Sequence, residues 1–231
     1  MIKVHSLTKS YAHNGRKANV FQNLSFTIES GQSVALLGRN GAGKSTLLRI
    51  LGGILVADRG TIQSDCSISW PVGLRGGFVP TMTGRQNVTF VSKVYLGSDR
   101  EQVEAKVRWV EEFAELGIYY DRPFKSYSSG MRSRIMFGMS MAFDFDVYLI
   151  DEVTGAGDER FRNKTSHLLQ ERHTKSDYIM VSHNLWGLEF HCERALLLHN
   201  GSLLEFDDLQ EGIAMHKQLL QAPIKPSEVS T

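Results

Sequence analysis

The sequence predicts an α/β fold with a mixed sheet, an antiparallel β subdomain and an inserted α-helical subdomain. Three observations support this prediction. First, apolar and polar residues alternate in short runs over residues 1–37, which is typical of partly antiparallel strands. Second, residues 84–143 lack such runs and carry helical periodicity. Third, short apolar runs at 147–150, 178–181 and 194–199 are separated by helical segments, which is typical of a parallel sheet.

Local signals predict the individual elements. A helix is expected from Ser45 to Leu51, directly after a strand, and two short strands are expected between Gly60 and Trp70. Residues 71–84 are rich in Gly and Pro, which indicates an ordered loop. Helices are expected over Asp99–Leu116 and Ser129–Phe143. The first of these two helices has one apolar face, formed by Val103, Val107, Val110 and Ala114.

These elements predict one domain over residues 1–221. Its core is expected to comprise residues 1–73 and 144–221, with the helical subdomain over about residues 74–143. The last ten residues, 222–231, are polar and contain proline, which predicts a disordered tail.

The composition is that of an ordinary soluble α/β domain, with 231 residues of which 42% are hydrophobic and 22% charged. A formal net charge of +1 gives no general attraction to nucleic acid or anionic lipid. No apolar run reaches the ~18 residues of a membrane span, and the N-terminus lacks the apolar core of a signal peptide. Cys66 and Cys192 are isolated, which fits a reducing cytosol and buried thiols.

The strongest motif is GRNGAGKST, which matches the P-loop pattern GxxxxGK[ST], follows a strand and opens a helix. In such a loop, backbone N–H groups surround the β-phosphate, and the helix N-terminus adds a positive dipole. Lys44 is expected to reach the β- and γ-phosphates, and the Ser45 hydroxyl is expected to bind Mg²⁺. The alternative is a glycine-rich turn without a ligand. The predicted nucleotide-binding residues of the loop are Gly38, Arg39, Asn40, Gly41, Ala42, Gly43, Lys44, Ser45 and Thr46.

Two carboxylates, Asp151 and Glu152, follow the apolar run VYLI. Asp151 is expected to bind Mg²⁺ directly or through water, and Glu152 to act as the general base that polarises the attacking water. An acidic junction between a strand and a loop is the alternative. After a P-loop, the catalytic interpretation is favoured.

Two further residues complete the predicted ATP site. His183 ends the run YIMVSH, where a neutral imidazole could hydrogen-bond the γ-phosphate and hold the water; a structural histidine is the alternative. Tyr11 is expected to end the first strand, which makes it the best aromatic residue for stacking on adenine. The alternative is a tyrosine at a strand edge without a ligand. No pair among the eight histidines has zinc-site spacing.

A second candidate phosphate site is the segment YSSGMRSR, residues 127–134. It resembles the LSGGQ signature of ATP-binding-cassette (ABC) ATPases and lies between the P-loop and the Asp-Glu pair, as in that family. The resemblance implies that the Ser128 hydroxyl and the amides near Gly130 bind the γ-phosphate of a nucleotide on the other subunit's P-loop. Two copies of the chain would then sandwich ATP head to tail.

The signature departs from the family pattern at two positions, where Ser129 replaces a Gly and Met131 replaces the Gln. Ser128 and Gly130, which carry the implied chemistry, are present; an ordinary helix cap is the alternative reading of this serine. The segment VTGAGD, residues 153–158, resembles the family's D-loop, which implies that Asp158 lies at the contact between subunits.

The resemblance extends over essentially the whole chain. SISWPVGLRGGF, MTGRQNV, VEEFAELG, MRSRIMFGMSMAF and IDEVTGAGDERF are similar to the ATPase subunits of capsular-polysaccharide exporters of Gram-negative bacteria, the KpsT type. Most ABC ATPases have a Gln in the loop before the helical insert, but this chain has none from Cys66 to Arg85. Phe78 in this loop is expected either to anchor the permease or to pack inside its own loop.

The resemblance implies an ATPase, with ATP and Mg²⁺ as cofactors, that powers polysaccharide export through a separate integral membrane permease. It further implies a homodimer at the cytoplasmic face of the inner membrane, held there by the permease. A polysaccharide co-polymerase and outer-membrane export proteins are expected as additional partners, and nucleic acid is not. The alternatives are an exporter of O-antigen or teichoic acid, a soluble non-transport ABC ATPase in repair or translation, and a stand-alone nucleotide kinase.

Overall fold

The computed structural model describes residues 1–13, 16–73, 77–151, 158–182 and 185–221. These residues form two compact units. The first unit comprises the described residues of Met1–Cys66 and Asp177–Thr231, and the second comprises those of Ser67–Ser176. The limits predicted above for the helical subdomain stay a prediction, and the predicted tail 222–231 lies outside the described residues.

The first unit contains an antiparallel sheet in which β1 (Ile2–His13) lies between β2 (Arg16–Ile28) and β4 (Arg59–Ser64). The start of β1 alternates as predicted, because Ile2 and Val4 are buried while Lys3 and His5 are exposed. The ladder between β1 and β2 is irregular at three places between Val4 and Ser10. The antiparallel β subdomain predicted from the alternating runs is thus present.

The first unit also contains the parallel strands that carry the phosphate loop. β3 (Val34–Gly38) pairs in parallel with β6 (Asp177–Val181) and β7 (Arg194–His199), and β7 pairs antiparallel with β8 (Ser202–Phe206). All five residues of β3 are buried, which explains its continuous apolar sequence. The helices of this unit are α1 (Lys44–Leu51), α6 (Leu185–His191) and α7 (Leu209–Gln221).

The second unit is mainly helical and contains α2 (Gly84–Leu96), α3 (Arg100–Ala114), α4 (Ser129–Met141) and α5 (Glu159–His173). Two short 3₁₀ turns, Gly117–Asp121 and Phe124–Ser126, lie between α3 and α4. The predicted apolar face of α3 is buried at Val103, Val107, Val110 and Ala114.

One strand, β5 (Val147–Asp151), completes the second unit. Two strands were predicted between Gly60 and Trp70, and the prediction of the second strand was wrong. In its place the structure has two isolated parallel bridges, Ile68 to Val147 and Val72 to Ile150. A side chain interrupts the ladder, because the Leu149 amide donates to the Ser69 hydroxyl at 2.9 Å rather than to a backbone carbonyl.

Candidate nucleotide-binding site

The phosphate loop joins β3 to α1 and is shaped by three glycines. Gly38, Gly41 and Gly43 have φ angles of 149°, 82° and 102°, which residues with a Cβ rarely adopt. A Cβ on Gly43 would lie 2.4 Å from Cγ1 of Val20, and one on Gly38 would lie 2.5 Å from the carbonyl oxygen of Leu198. Gly38 and Gly43 are therefore required by both backbone conformation and packing.

The N-terminus of α1 lacks the side-chain cap found on the helices of the second unit. No side chain caps α1, which begins directly after Gly43. An anion in the phosphate loop would accept hydrogen bonds from its first-turn amides and meet the positive end of its dipole. By contrast, the helices α2, α3, α4 and α5 begin with side chains that accept a hydrogen bond from the first turn: Thr83, Asp99, Ser128 and Asp158.

The loop itself orients the Lys44 ammonium. Nζ of Lys44 donates to the carbonyl oxygen of Gly38 at 2.7 Å and to that of Arg39 at 3.0 Å. These bonds hold a positive charge beside the α1 N-terminus, where phosphate oxygens would form stronger, charge-assisted bonds with it. Ser45 and Thr46 follow in the first turn of α1 and are half-buried.

Tyr11 lies at a pocket of about 500 Å³ that includes the phosphate loop. The pocket is also lined by residues 18–20 of β2, 39–42 of the loop and 198–201 around the turn between β7 and β8. Tyr11 is 45% exposed, so its ring offers a face on which a nucleotide base could stack. The sequence predicted the loop and Tyr11 but missed residues 198–201, which lie far along the chain and carry no motif.

The signature segment forms the start of α4 in the second unit. The Ser128 hydroxyl accepts a hydrogen bond from the Met131 amide at 3.2 Å, so this serine is a helix N-cap. Capping does not prevent Ser128 from binding a phosphate, because its hydroxyl oxygen accepts the bond from Met131 and its hydroxyl proton can still be donated to a phosphate oxygen. Ser128 and Ser129 are exposed, and a Cβ on Gly130 would have no atom within 4 Å.

Asp158 has two partners within the second unit. Its Oδ1 accepts from the Phe161 amide at 2.9 Å and caps α5, while its Oδ2 accepts from Arg134 of α4 at 2.9 Å. The pKa of Asp158 is lowered, mainly because the Phe161 amide donates to the carboxylate. Asp158 therefore joins the helix that follows the signature to α5, a link that the sequence did not predict.

The predicted metal and catalytic residues are only partly described. Asp151 ends β5 in the second unit and is half-buried, whereas Ser45 belongs to the first unit. Glu152 and His183 lie outside the described residues. Within the described ranges, no group of three or more His, Cys, Asp or Glu residues could hold a metal ion by itself. A hydroxyl and a carboxylate are nevertheless the oxygen ligands that Mg²⁺ prefers when nucleotide phosphates supply others.

The loop before α2 is held by a buried amide. Asn87 is 2% exposed, and its Oδ1 accepts from the Val79 amide at 2.6 Å. Its Nδ2 donates to the carbonyl oxygens of Val79 at 3.1 Å and Thr83 at 2.9 Å. Gln86 forms a capping box with Thr83, in which the Thr83 amide donates to Oε1 of Gln86 at 2.9 Å. The glutamine nearest to this loop therefore has a structural role at the start of α2.

Comparison with known proteins identifies the class of the chain. The sequence profile described as ABC transporter matches residues 21–155, and this chain belongs to that family. The fold agrees with this, because a dimeric ATP-binding cassette described as bound to ADP and Pi matches with a TM-score of 0.75 at 21% identity, over 90% of this chain and 99% of that one. The predicted ABC ATPase fold is therefore confirmed, and the chain is an ATP-hydrolysing enzyme of this family.

Curated relatives define the type more closely. The chain is 51% identical to the polysialic acid transport ATP-binding protein KpsT of Escherichia coli, over 94% of this chain and 96% of that protein. It is 38% identical to the ATP-binding protein BexA of Haemophilus influenzae, over 94% of this chain and 99% of that protein. An O-antigen export system ATP-binding protein, RfbB of Klebsiella pneumoniae, is 35% identical over 89% of this chain and 84% of that protein. The predicted resemblance to the KpsT type is confirmed.

Proposed function

We propose that this chain is the ATP-hydrolysing subunit that powers export of capsular polysaccharide across the inner membrane through a separate permease. One observation carries this proposal, namely 51% identity to a polysialic acid transport ATP-binding protein over nearly the full length of both chains. The O-antigen relative at 35% identity makes O-antigen export the second candidate. Teichoic acid export and a soluble non-transport role are less favoured, because none of the relatives compared above is named for either.

The residues of the first unit bind the nucleotide in this proposal. Amides of the phosphate loop and of the α1 N-terminus bind the phosphates, and Lys44 exchanges its bonds to loop carbonyls for bonds to phosphate oxygens. Tyr11 stacks on the base. Ser45 and Asp151 would hold Mg²⁺, which would neutralise charge on the phosphates.

Hydrolysis is proposed to require residues of two chains. Glu152 accepts a proton from the attacking water, and His183 holds that water near the γ-phosphate. Ser128 donates its hydroxyl proton to a γ-phosphate bound by the second copy, and the amides near Gly130 add further bonds. Asp158 contacts the second copy across the dimer. Each of the two sites would then be complete only when two chains close on ATP.

The proposed partners are a second copy of the chain, an integral membrane permease, a polysaccharide co-polymerase and outer-membrane export proteins. Within the described ranges, every helix is too short or too polar to cross a lipid bilayer. We propose a peripheral position at the cytoplasmic face of the inner membrane, with the permease as the attachment point.

Replacing Glu152 by Gln tests the proposal. The amide preserves shape but removes the base, so ATP binding is expected to persist while hydrolysis falls by about 10²–10⁴-fold. Lys44→Ala is the matched control, because it is expected to weaken nucleotide binding itself. ATPase assays and nucleotide titrations on the purified chain separate the two effects. Hydrolysis near the wild-type rate in Glu152→Gln would show that the water is activated by another group.

The transported substrate is tested in cells that carry the chain. Introducing Lys44→Ala into the chromosome is expected to remove polysaccharide from the cell surface and to leave it inside, while O-antigen stays normal. Loss of O-antigen with normal capsule would overturn the capsule assignment in favour of the second candidate. Normal levels of both would argue against both of these candidates.

A further inference from the structure

Tyr11 follows the part of β1 where sheet pairing is least regular. On the side of β4, the ladder shifts between His5 and Thr8 and ends with the pair Thr8–Arg59. On the side of β2, the register shifts between Lys9 and Ser10. From Ser10 onward β1 pairs regularly with β2, with Tyr11 opposite Ala18, but the ladder with β4 ends at Thr8. On the β4 side, bonds from outside the ladder must therefore hold the backbone that leads into Tyr11.

Asp58 supplies these bonds. Its Oδ2 accepts from the Ser10 amide at 2.9 Å and also from the Ser10 hydroxyl. Its Oδ1 accepts from Nζ of Lys9 at 3.0 Å, and its own amide donates to the Thr8 carbonyl at 2.9 Å. One residue thus bonds to three successive residues of β1, immediately before Tyr11.

Asp58 also holds the Lys9 ammonium, which lies beside the ring of Tyr11. Nζ of Lys9 lies 5.6 Å from the centroid of Tyr11 and donates to the Val56 carbonyl at 2.9 Å. Ser10 is 8% exposed, whereas Tyr11 is 45% exposed. The ring therefore depends on its backbone for its position more than on packing. The pKa of Asp58 is lowered to about 2, first by the Ser10 hydroxyl and then by Lys9, so the carboxylate is charged at neutral pH.

We propose that Asp58 is a positioning residue that holds Tyr11 against the nucleotide base and so contributes to the preference of the site for a nucleotide over bare polyphosphate. This inference rests on the proposed role of Tyr11 in base stacking. Asp58 acts through Ser10 and Lys9 and does not touch the nucleotide. Removing Asp58 is therefore expected to weaken recognition of the base and to leave recognition of the phosphates unchanged.

The experiment compares two ligands, ATP and inorganic tripolyphosphate, which has the phosphates but no base. Their dissociation constants are measured for wild type, Tyr11→Ala, Asp58→Ala, Asp58→Asn and the double variant Tyr11→Ala/Asp58→Ala. Base stacking implies that Tyr11→Ala weakens ATP binding by about 5- to 150-fold. Asp207→Asn is the matched control, because it removes an exposed carboxylate that pairs with Arg194 in the same unit.

The positioning role predicts that Asp58→Ala weakens ATP binding by at least ~5-fold and changes tripolyphosphate binding by less than ~2-fold. The double variant should bind ATP no more weakly than Tyr11→Ala alone, because both changes remove the same contact. Asp58→Asn keeps the shape of the side chain and should fall between wild type and Asp58→Ala. The control variant should match wild type with both ligands.

Three results would overturn the inference: equal loss of tripolyphosphate binding, additive effects in the double variant, or unchanged ATP binding in both Asp58 variants. The first of these would show that Asp58 supports the fold or the phosphate loop instead. A different result would refute the proposed site, namely a wild-type chain that binds ATP no better than tripolyphosphate, or Tyr11→Ala with normal ATP affinity. Melting temperatures of all variants identify any that are only misfolded.

Discussion

Replacing Phe78 by Ala tests whether this ring contacts the permease or only packs within its own unit. The structure places Phe78 edge-on against Phe124, with ring centroids 5.0 Å apart, and Phe124 in turn lies 5.3 Å from Tyr127. Phe78 is half-buried by these contacts. Phe78 therefore packs within its own unit, and the experiment tests whether the exposed part of its ring also anchors the permease.

The contacts of Phe78 indicate how far Phe78→Ala should lower the free energy of unfolding of the isolated chain. An edge-to-face pair contributes about 0.5–1.5 kcal/mol beyond the area that it buries. Because Phe78 is only half-buried, we expect a total loss of about 1–2 kcal/mol, below the ~3–5 kcal/mol of a fully buried Phe→Ala change. For a chain of this size, the melting temperature should then fall by about 2–8 °C.

The assay combines thermal unfolding with co-purification of the permease and measurement of surface capsule. Phe124→Leu is the matched control, because it removes the same aromatic pair and leaves Phe78 in the loop. If Phe78 is an anchor, its loss should weaken permease binding by about 30-fold, which corresponds to a hot spot of ~2 kcal/mol. Phe124→Leu should then retain the permease. Equal loss of the permease in both variants, or normal export by Phe78→Ala, would refute the anchor.

Two further predictions concern the phosphate loop and the signature. Mixing Ser128→Arg subunits with Lys44→Ala subunits should restore partial ATPase activity in the presence of permease, because one composite site per mixed dimer carries neither change; full activity of Ser128→Arg alone would contradict the composite site. Gly43→Ala should destabilise the chain by about 1–3 kcal/mol more than Gly41→Ala, because only its Cβ would meet Val20. Thermal unfolding checks this difference, and equal melting temperatures would contradict it.

Short-range patterns allowed the sequence to predict much of the fold. The buried face of α3 was visible because helical spacing alone brings Val103, Val107 and Val110 together. The phosphate loop was visible because its conformation depends on glycines within six residues, and those glycines have the positive φ angles that the motif requires. Both features are determined by neighbours in the sequence.

Features that depend on distant residues were not predicted. The bonds of Asp58 to Ser10 and the pair Arg134–Asp158 join segments whose register is set by the whole fold, and no motif marks them. The failed prediction of a second strand before β5 also has a long-range cause. The Ser69 hydroxyl replaces a backbone acceptor for the Leu149 amide only when β5 lies beside it. Glu152 and His183 lie outside the described residues, so their roles still rest on sequence.

The loop that lacks glutamine from Cys66 to Arg85 is joined by backbone hydrogen bonds to the segment before the signature. The Phe124 amide donates to the Met82 carbonyl at 2.9 Å, and the Lys125 amide donates to the Pro80 carbonyl at 2.9 Å. These bonds join the loop to the segment that leads directly into Ser128. We expect these bonds to couple a displacement of the loop to the segment before the signature, with no glutamine side chain required.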